Sequence, residues 1–151
     1  MQGPGGGGDP GTESEARNRL ARIGFDRVVG HLTGGATGVT AEHLTPASRL
    51  TAGQVTAAPA GVQLIDVRGP GEVRVSGTVP GADLVPLPEL VGRVAQFDPA
   101  RPTIVFCAGG YRSSIAASAL RARGFADVSD LIGGFAAWDD GSRPVIRVTP
   151  A

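Results

Sequence analysis

The 151-residue chain has room for one domain and a tail, and its 41% apolar and 19% charged residues are ordinary for a globular protein. Fourteen basic residues, all of them Arg, balance 14 acids, so nothing in the charge points to nucleic acid or an anionic membrane as the main partner. A single Cys excludes an internal disulfide, and no apolar run approaches the roughly 18 residues of a membrane span. Residues 1–10 lack the apolar core of a signal peptide, and the expected setting is the reducing cytoplasm.

Residues 1–12 (MQGPGGGGDPGT) hold nothing to bury and read as a disordered Gly/Pro-rich tail. A helix is expected over 13–23, with Ala16, Leu20, Ala21 and Ile23 on one face and Gly24 as its stop. Residues 27–32 (RVVGHL) read as a short strand, and 34–48 as a linker. Thr51 is placed to cap a short helix over 51–58. Strands are expected at 62–67 (VQLIDV), 83–86, 103–106 (TIVF) and 128–132, and helices at 88–97, 113–123 and from 135. Strands alternating with helices predict an α/β fold, a central parallel β-sheet with helices on both faces. An internal repeat pairs LARIGF (20–25) with LRARGF (120–125), each followed by an apolar stretch and a Gly-Gly pair, Gly34-Gly35 and Gly133-Gly134. This marks 13–43 as a partial copy plus linker and 44–151 as the complete domain.

The chemistry-bearing segment is Cys107-Ala108-Gly109-Gly110-Tyr111-Arg112-Ser113-Ser114. It lies between the strand TIVF and a helix, at the strand end where parallel sheets bind ligands. A small Gly-containing turn can aim successive N–H groups at one point, and the following helix adds its free amides and positive dipole end. A cysteine heading such a cradle has a lowered pKa. Arg112 supplies a permanent forked charge for an anionic substrate and is read as that rather than as a surface ion pair. Gly109 and Gly110 let the backbone close tightly, Tyr111 reads as a loop wall, and Ser113 as a helix cap.

Residues 62–144 resemble the rhodanese family. The active loop, Cys then four residues then Arg, stands here as CAGGYR. The upstream family pattern matches Asp66-Val67-Arg68, Glu72 and Gly77-Thr78-Val79-Pro80-Gly81-Ala82, and the closing pattern matches Gly133-Gly134 and Trp138. Thr78 stands where the family has His, and Val73 where it prefers an aromatic. The resemblance implies that Cys107 is the nucleophile and persulfide carrier, with backbone N–H groups of 108–112 around the sulfur. It implies that Arg112 fixes loop and substrate, and that Asp66, Arg68 and Glu72 are scaffold. Residues 8–35, with the loop, are similar to the rhodanese part of persulfide dioxygenase–rhodanese fusion proteins, whose setting is sulfide and persulfide disposal. His31 and His43 do not form the His-x-His-x-Asp cluster of the metal-binding partner domain, so no metal or cofactor is expected.

The resemblance therefore implies a sulfurtransferase that moves sulfane sulfur from thiosulfate or a low-molecular-weight persulfide to a thiol acceptor by double displacement. A separate persulfide-oxidising enzyme is a candidate partner. The alternatives are a non-catalytic sulfur-carrier or docking module and, further off, a cysteine-loop phosphatase or arsenate reductase. The last two use five residues between Cys and Arg, where this loop has four.

Overall fold

The computed structural model describes residues 11–22, 27–31, 39–40 and 47–147. The chain divides into two units, residues 1–46 and 47–151. In the first, helix α1 (Glu13–Ala21) carries acids in its first turn and an Arg19–Glu15 pair one turn apart. It buries none of its residues, so the apolar face expected of it is not used. Residues 27–31 are exposed and irregular, which corrects the strand expected there: among the described residues no strand pairs with Val28 and Val29. The tail over 1–10, Gly34-Gly35 and His43 lie outside the described residues.

The second unit is an α/β layer structure. Five parallel strands, β1 (Ser48–Leu50), β2 (Gln63–Asp66), β3 (Ala82–Leu84), β4 (Thr103–Phe106) and β5 (Val128–Leu131), lie in the order β1-β5-β4-β2-β3. Side chains alternate between the two faces of a strand, and the core divides accordingly. Ile65, Val105 and Val128 meet Leu90, Ala116, Ala117 and Leu120 on one face. Ile104, Phe106 and Leu131 meet Ala52, Val55, Phe135 and Trp138 on the other. Helices α4 (Leu87–Arg93) and α5 (Tyr111–Arg121) thus cover the first face, and α2 (Ala52–Thr56) and α6 (Gly134–Trp138) the second. The central strand β4 is buried along its whole length, as its unbroken apolar run requires.

Two elements depart from the sequence expectation. Strand β1 begins at the last residue of the stretch read as linker and runs through Arg49 and Leu50, for which no element was expected. It is a polar edge strand, held by Arg49, whose Nε and Nη2 reach the Asp130 carboxylate at 3.0 and 2.9 Å, and by Ser129 Oγ donating to Ser48 Oγ at 2.7 Å. Helix α3 (Pro70–Ser76) occupies a segment with no expected element. Pro70 sits in its first turn, and the Glu72 carboxylate accepts the Gly69 N–H at 3.0 Å. At α2, by contrast, Thr51 is the cap, its Oγ1 accepting from Gln54 N.

Because Arg49 is the main side-chain tether of β1, Arg49→Ala should raise amide exchange over Ser48–Leu50 by about tenfold or more relative to β4. Peptide-resolved hydrogen-exchange mass spectrometry reads this; equal protection in the variant would show that the edge holds without the ion pair.

Candidate active site

Cys107 follows the last residue of β4, at the carboxyl end of the central strand, with β5 on one side and β2 on the other. The chain then turns through Ala108 and Gly109 to Gly110, which starts α5 from a left-handed conformation (φ 102°). What orients the turn is α6. Phe135 N donates to Cys107 O at 2.7 Å and Ala136 N donates to Ala108 O at 3.0 Å. A trans peptide points its C=O and its N–H in opposite directions. Drawing the Ala108 carbonyl outward therefore turns the Gly109 amide of the same peptide inward, and that amide is one of the groups that lower the Cys107 thiol. Close approach is possible because residue 134 is Gly: a Cβ there would lie 2.4 Å from Cys107 O and 2.6 Å from Ala108 O.

The sulfur is inside this turn, and Cys107 is only 1% exposed. Gly110 N donates to Sγ at 3.1 Å. Burial pushes the thiol pKa up, but the Ser113 hydroxyl and the amides of Ser113, Gly110 and Gly109 outweigh it, and the thiol lies below its ordinary value. These donors shift the expected cradle of 108–112 one residue along, to include Ser113. The cap reading of Ser113 is corrected as well: Gly110 is the cap, and Ser113 lies within α5, fully buried. Its Oγ stands 3.6 Å from Sγ and 3.1 Å from Gly110 O. Its single proton goes to the carbonyl while the thiol donates to Oγ, and turns to the sulfur when a thiolate forms.

Arg112 is not the free cation expected. It forms a two-pronged pair with Glu72, Nη1 to Oε2 and Nη2 to Oε1, both at 2.7 Å. The Arg112 hydrogen bond holds the Glu72 carboxyl far below the usual range, at about 2, and Glu72 in turn raises Arg112. Arg112 also interacts with Cys107. Glu72 belongs to the site's electrostatics, beyond the scaffold role implied by resemblance. Its position three residues after the Gly69-Pro70 helix start was the available sequence signal.

Asp66 and Arg68 form a buried pair at the end of β2, Nη2 to Oδ2 at 2.6 Å and Nε to Oδ1 at 3.0 Å. Arg68 also donates to Ser76 Oγ and Gly77 O at the end of α3, at 2.9 and 2.7 Å, and lies 4.0 Å over the Phe135 ring. Thr78 Oγ1 donates to Asp66 Oδ2 at 2.7 Å, so the residue in the family's His position ties into the carboxylate directly. Tyr111, read as a loop wall, is the first residue of α5; it is 80% exposed and lines one of the cavities beside the loop. A cavity of about 550 Å³ opens beside the loop, with Arg68, Glu72, Val75, Ala108, Phe135 and Ala136 among its walls. A second, of about 450 Å³, lies against Gly109, Gly110 and Tyr111, with Arg49, Arg121 and Asp130.

Residues 51–140 match the family described as Rhodanese-like domain. The chain belongs to that family. Among relatives of the rhodanese-like domain, the YqhL protein of Bacillus subtilis is 38% identical over 50% of this chain, which spans 60% of that protein's length. A protein named sulfurtransferase from Allochromatium vinosum is 31% identical over 56% of this chain and 78% of its own. The protein named thiosulfate sulfurtransferase GlpE from Shewanella oneidensis is 38% identical over 52% and 77%. The crystal structure of a rhodanese-related protein from Thermoplasma volcanium superposes with a TM-score of 0.61 at 25% identity, covering 66% of this chain and 97% of that one. Among the described residues no helix is long and apolar enough to cross a membrane.

Two outcomes follow from this geometry. Ser113→Ala removes a donor to the thiolate, so the midpoint of Cys107 alkylation against pH should move up by about half a unit to one unit. Intact-mass kinetics with a small haloacetamide measures it, and an unmoved midpoint would assign the lowered pKa to the amides alone. Gly134→Ala combines a left-handed φ of 59° with a backbone clash. It should cost about 3 kcal/mol in urea unfolding.

Proposed function

We propose that this rhodanese-like domain is a sulfurtransferase that carries sulfane sulfur as a persulfide on Cys107. The observation that carries the reading is a buried sulfur receiving the Gly109, Gly110 and Ser113 amides, which favour its anionic form over the thiol. The Cys107 thiolate attacks the outer sulfur of a donor, either thiosulfate or a low-molecular-weight persulfide. One S–S bond forms as another breaks, and the leaving sulfite or thiolate takes the electron pair. With an organic hydropersulfide, Cys107–S⁻ and R–S–SH give Cys107–S–SH and R–S⁻. With thiosulfate, the products are Cys107–S–S⁻ and sulfite.

The inward amides then hold the outer sulfur of the persulfide, and an acceptor thiol attacks that sulfur and returns Cys107 to the thiolate. Each half is a single transfer between two sulfurs, so no metal or redox group is required of the chain. Any oxidation of the released persulfide falls to a separate enzyme, the partner that the resemblance to persulfide dioxygenase–rhodanese fusions suggests. A sulfur acceptor buried in a four-residue loop favours donors that present one terminal sulfur over tetrahedral phosphate esters.

Because the thiolate is the nucleophile and the thiol pKa is lowered, the first half-reaction should rise with pH and level off below the ordinary thiol range near 8.5. Intact-mass measurement after exposure to thiosulfate or glutathione persulfide should show one added sulfur atom, removed by reductant. Cys107→Ala should show none. Added sulfur without turnover to an acceptor thiol would indicate a carrier module, and no added sulfur would overturn the reading.

A further inference from the structure

Resting on the sulfurtransferase reading, the geometry points to Glu72 as the residue that sets donor specificity: it cancels the charge of Arg112 and turns the site toward organic hydropersulfides and away from the thiosulfate dianion.

The argument starts at the lip of the loop. Arg112, in the first turn of α5, is a side-chain cation that interacts with the Cys107 thiol. Two of its N–H groups are committed to Glu72 at 2.7 Å each. The carboxylate is itself fixed, because its Oε2 also accepts the Gly69 N–H at 3.0 Å and so starts α3. Helix α3 is anchored at its other end through Ser76 and Gly77 to Arg68. Swinging Glu72 aside to free the guanidinium would break that helix start as well as the two-pronged pair. Arg68, the cation among the walls of the cavity of about 550 Å³, is itself bound to Asp66.

An incoming dianion therefore meets an attraction to Arg112 and a repulsion from Glu72 at similar range, and gains little. The remaining walls of the 550 Å³ cavity favour a different ligand. Val75 is 81% exposed and lines the cavity with Ala108, Ala136 and the largely buried Phe135, beside Arg68, Glu72 and Ser76. A hydropersulfide carries at most one negative charge and brings an organic body that can cover these side chains. Glu72 touches Arg112 and not the sulfur, so it acts as a positioning and selecting group.

The test compares kcat/KM for thiosulfate and for benzyl hydropersulfide, with one acceptor thiol, in the native protein and in Glu72→Gln. The amide keeps an oxygen for Gly69 N–H and removes the charge. The ratio of thiosulfate to hydropersulfide should rise about tenfold. In the native protein, thiosulfate kcat/KM should respond weakly to salt; in Glu72→Gln it should fall as salt screens the uncovered guanidinium. An unchanged or lowered ratio in a variant that still takes sulfur onto Cys107 overturns the role of Glu72 alone. Should the variant fail to fold, a steep salt response of the native protein with thiosulfate overturns it equally. Absence of sulfur on Cys107 from either donor overturns the sulfurtransferase reading itself.

Discussion

The site depends on two backbone hydrogen bonds that involve no reactive atom, Phe135 N to Cys107 O and Ala136 N to Ala108 O. Left to itself, a short turn between strand and helix has several ways to point its peptide planes. The free amides at the start of α6 select one. They take the carbonyls, and the amide of Gly109, in the same peptide plane as the Ala108 carbonyl, is one of the groups that lower the thiol. A negative charge that burial would suppress is thereby favoured. The start of α5 supplies Ser113 and Gly110, α6 holds the peptide planes before them from more than 25 residues downstream, and Gly134 is the residue whose missing side chain permits that contact.

A second line of support runs along the other side of the loop. Asp66 at the end of β2 holds Arg68, Arg68 holds the end of α3, α3 presents Glu72, and Glu72 holds Arg112. Only the last two residues are partly exposed; the first pair is buried with every side-chain polar atom satisfied. Such a pair adds little net stability compared with apolar packing, while losing one member leaves a buried charge without its partner. Its contribution is the position of α3. Thr78 fits the same scheme by supplying a hydroxyl to Asp66.

Much of this was legible in the sequence. The run TIVF is β4 residue for residue, Thr51 caps α2, and the segment CAGGYR lies at a strand-to-helix turn, because strong apolar runs and Gly punctuation are local signals. What was not legible depends on partners distant in the chain. Strand β1 has the polar sequence SRL and becomes a strand only through Asp130 and Ser129. In α3 the valines of GEVRVS mask the helical start signals of Pro70 and Glu72. Ser113 has the residue type of a cap, yet positive φ at Gly110 starts the helix three residues earlier and turns the hydroxyl onto the sulfur. No spacing rule pairs Arg112 with a residue 40 positions away. Residues 27–31 show the reverse case, a β-like pattern that is irregular and exposed.

Trp138 is the chain's only tryptophan, and it ends the same short helix whose first amides hold the Cys107 and Ala108 carbonyls. Its indole is buried at 5% exposure, with Nε1 donating to Pro144 O at 2.9 Å and Arg143 over the ring. The tryptophan emission of the molecule, excited selectively over that of Tyr111, therefore comes from one site, one helical turn from the loop's anchor. Emission wavelength and quenching then become local gauges of that anchor, without any label attached to the thiol.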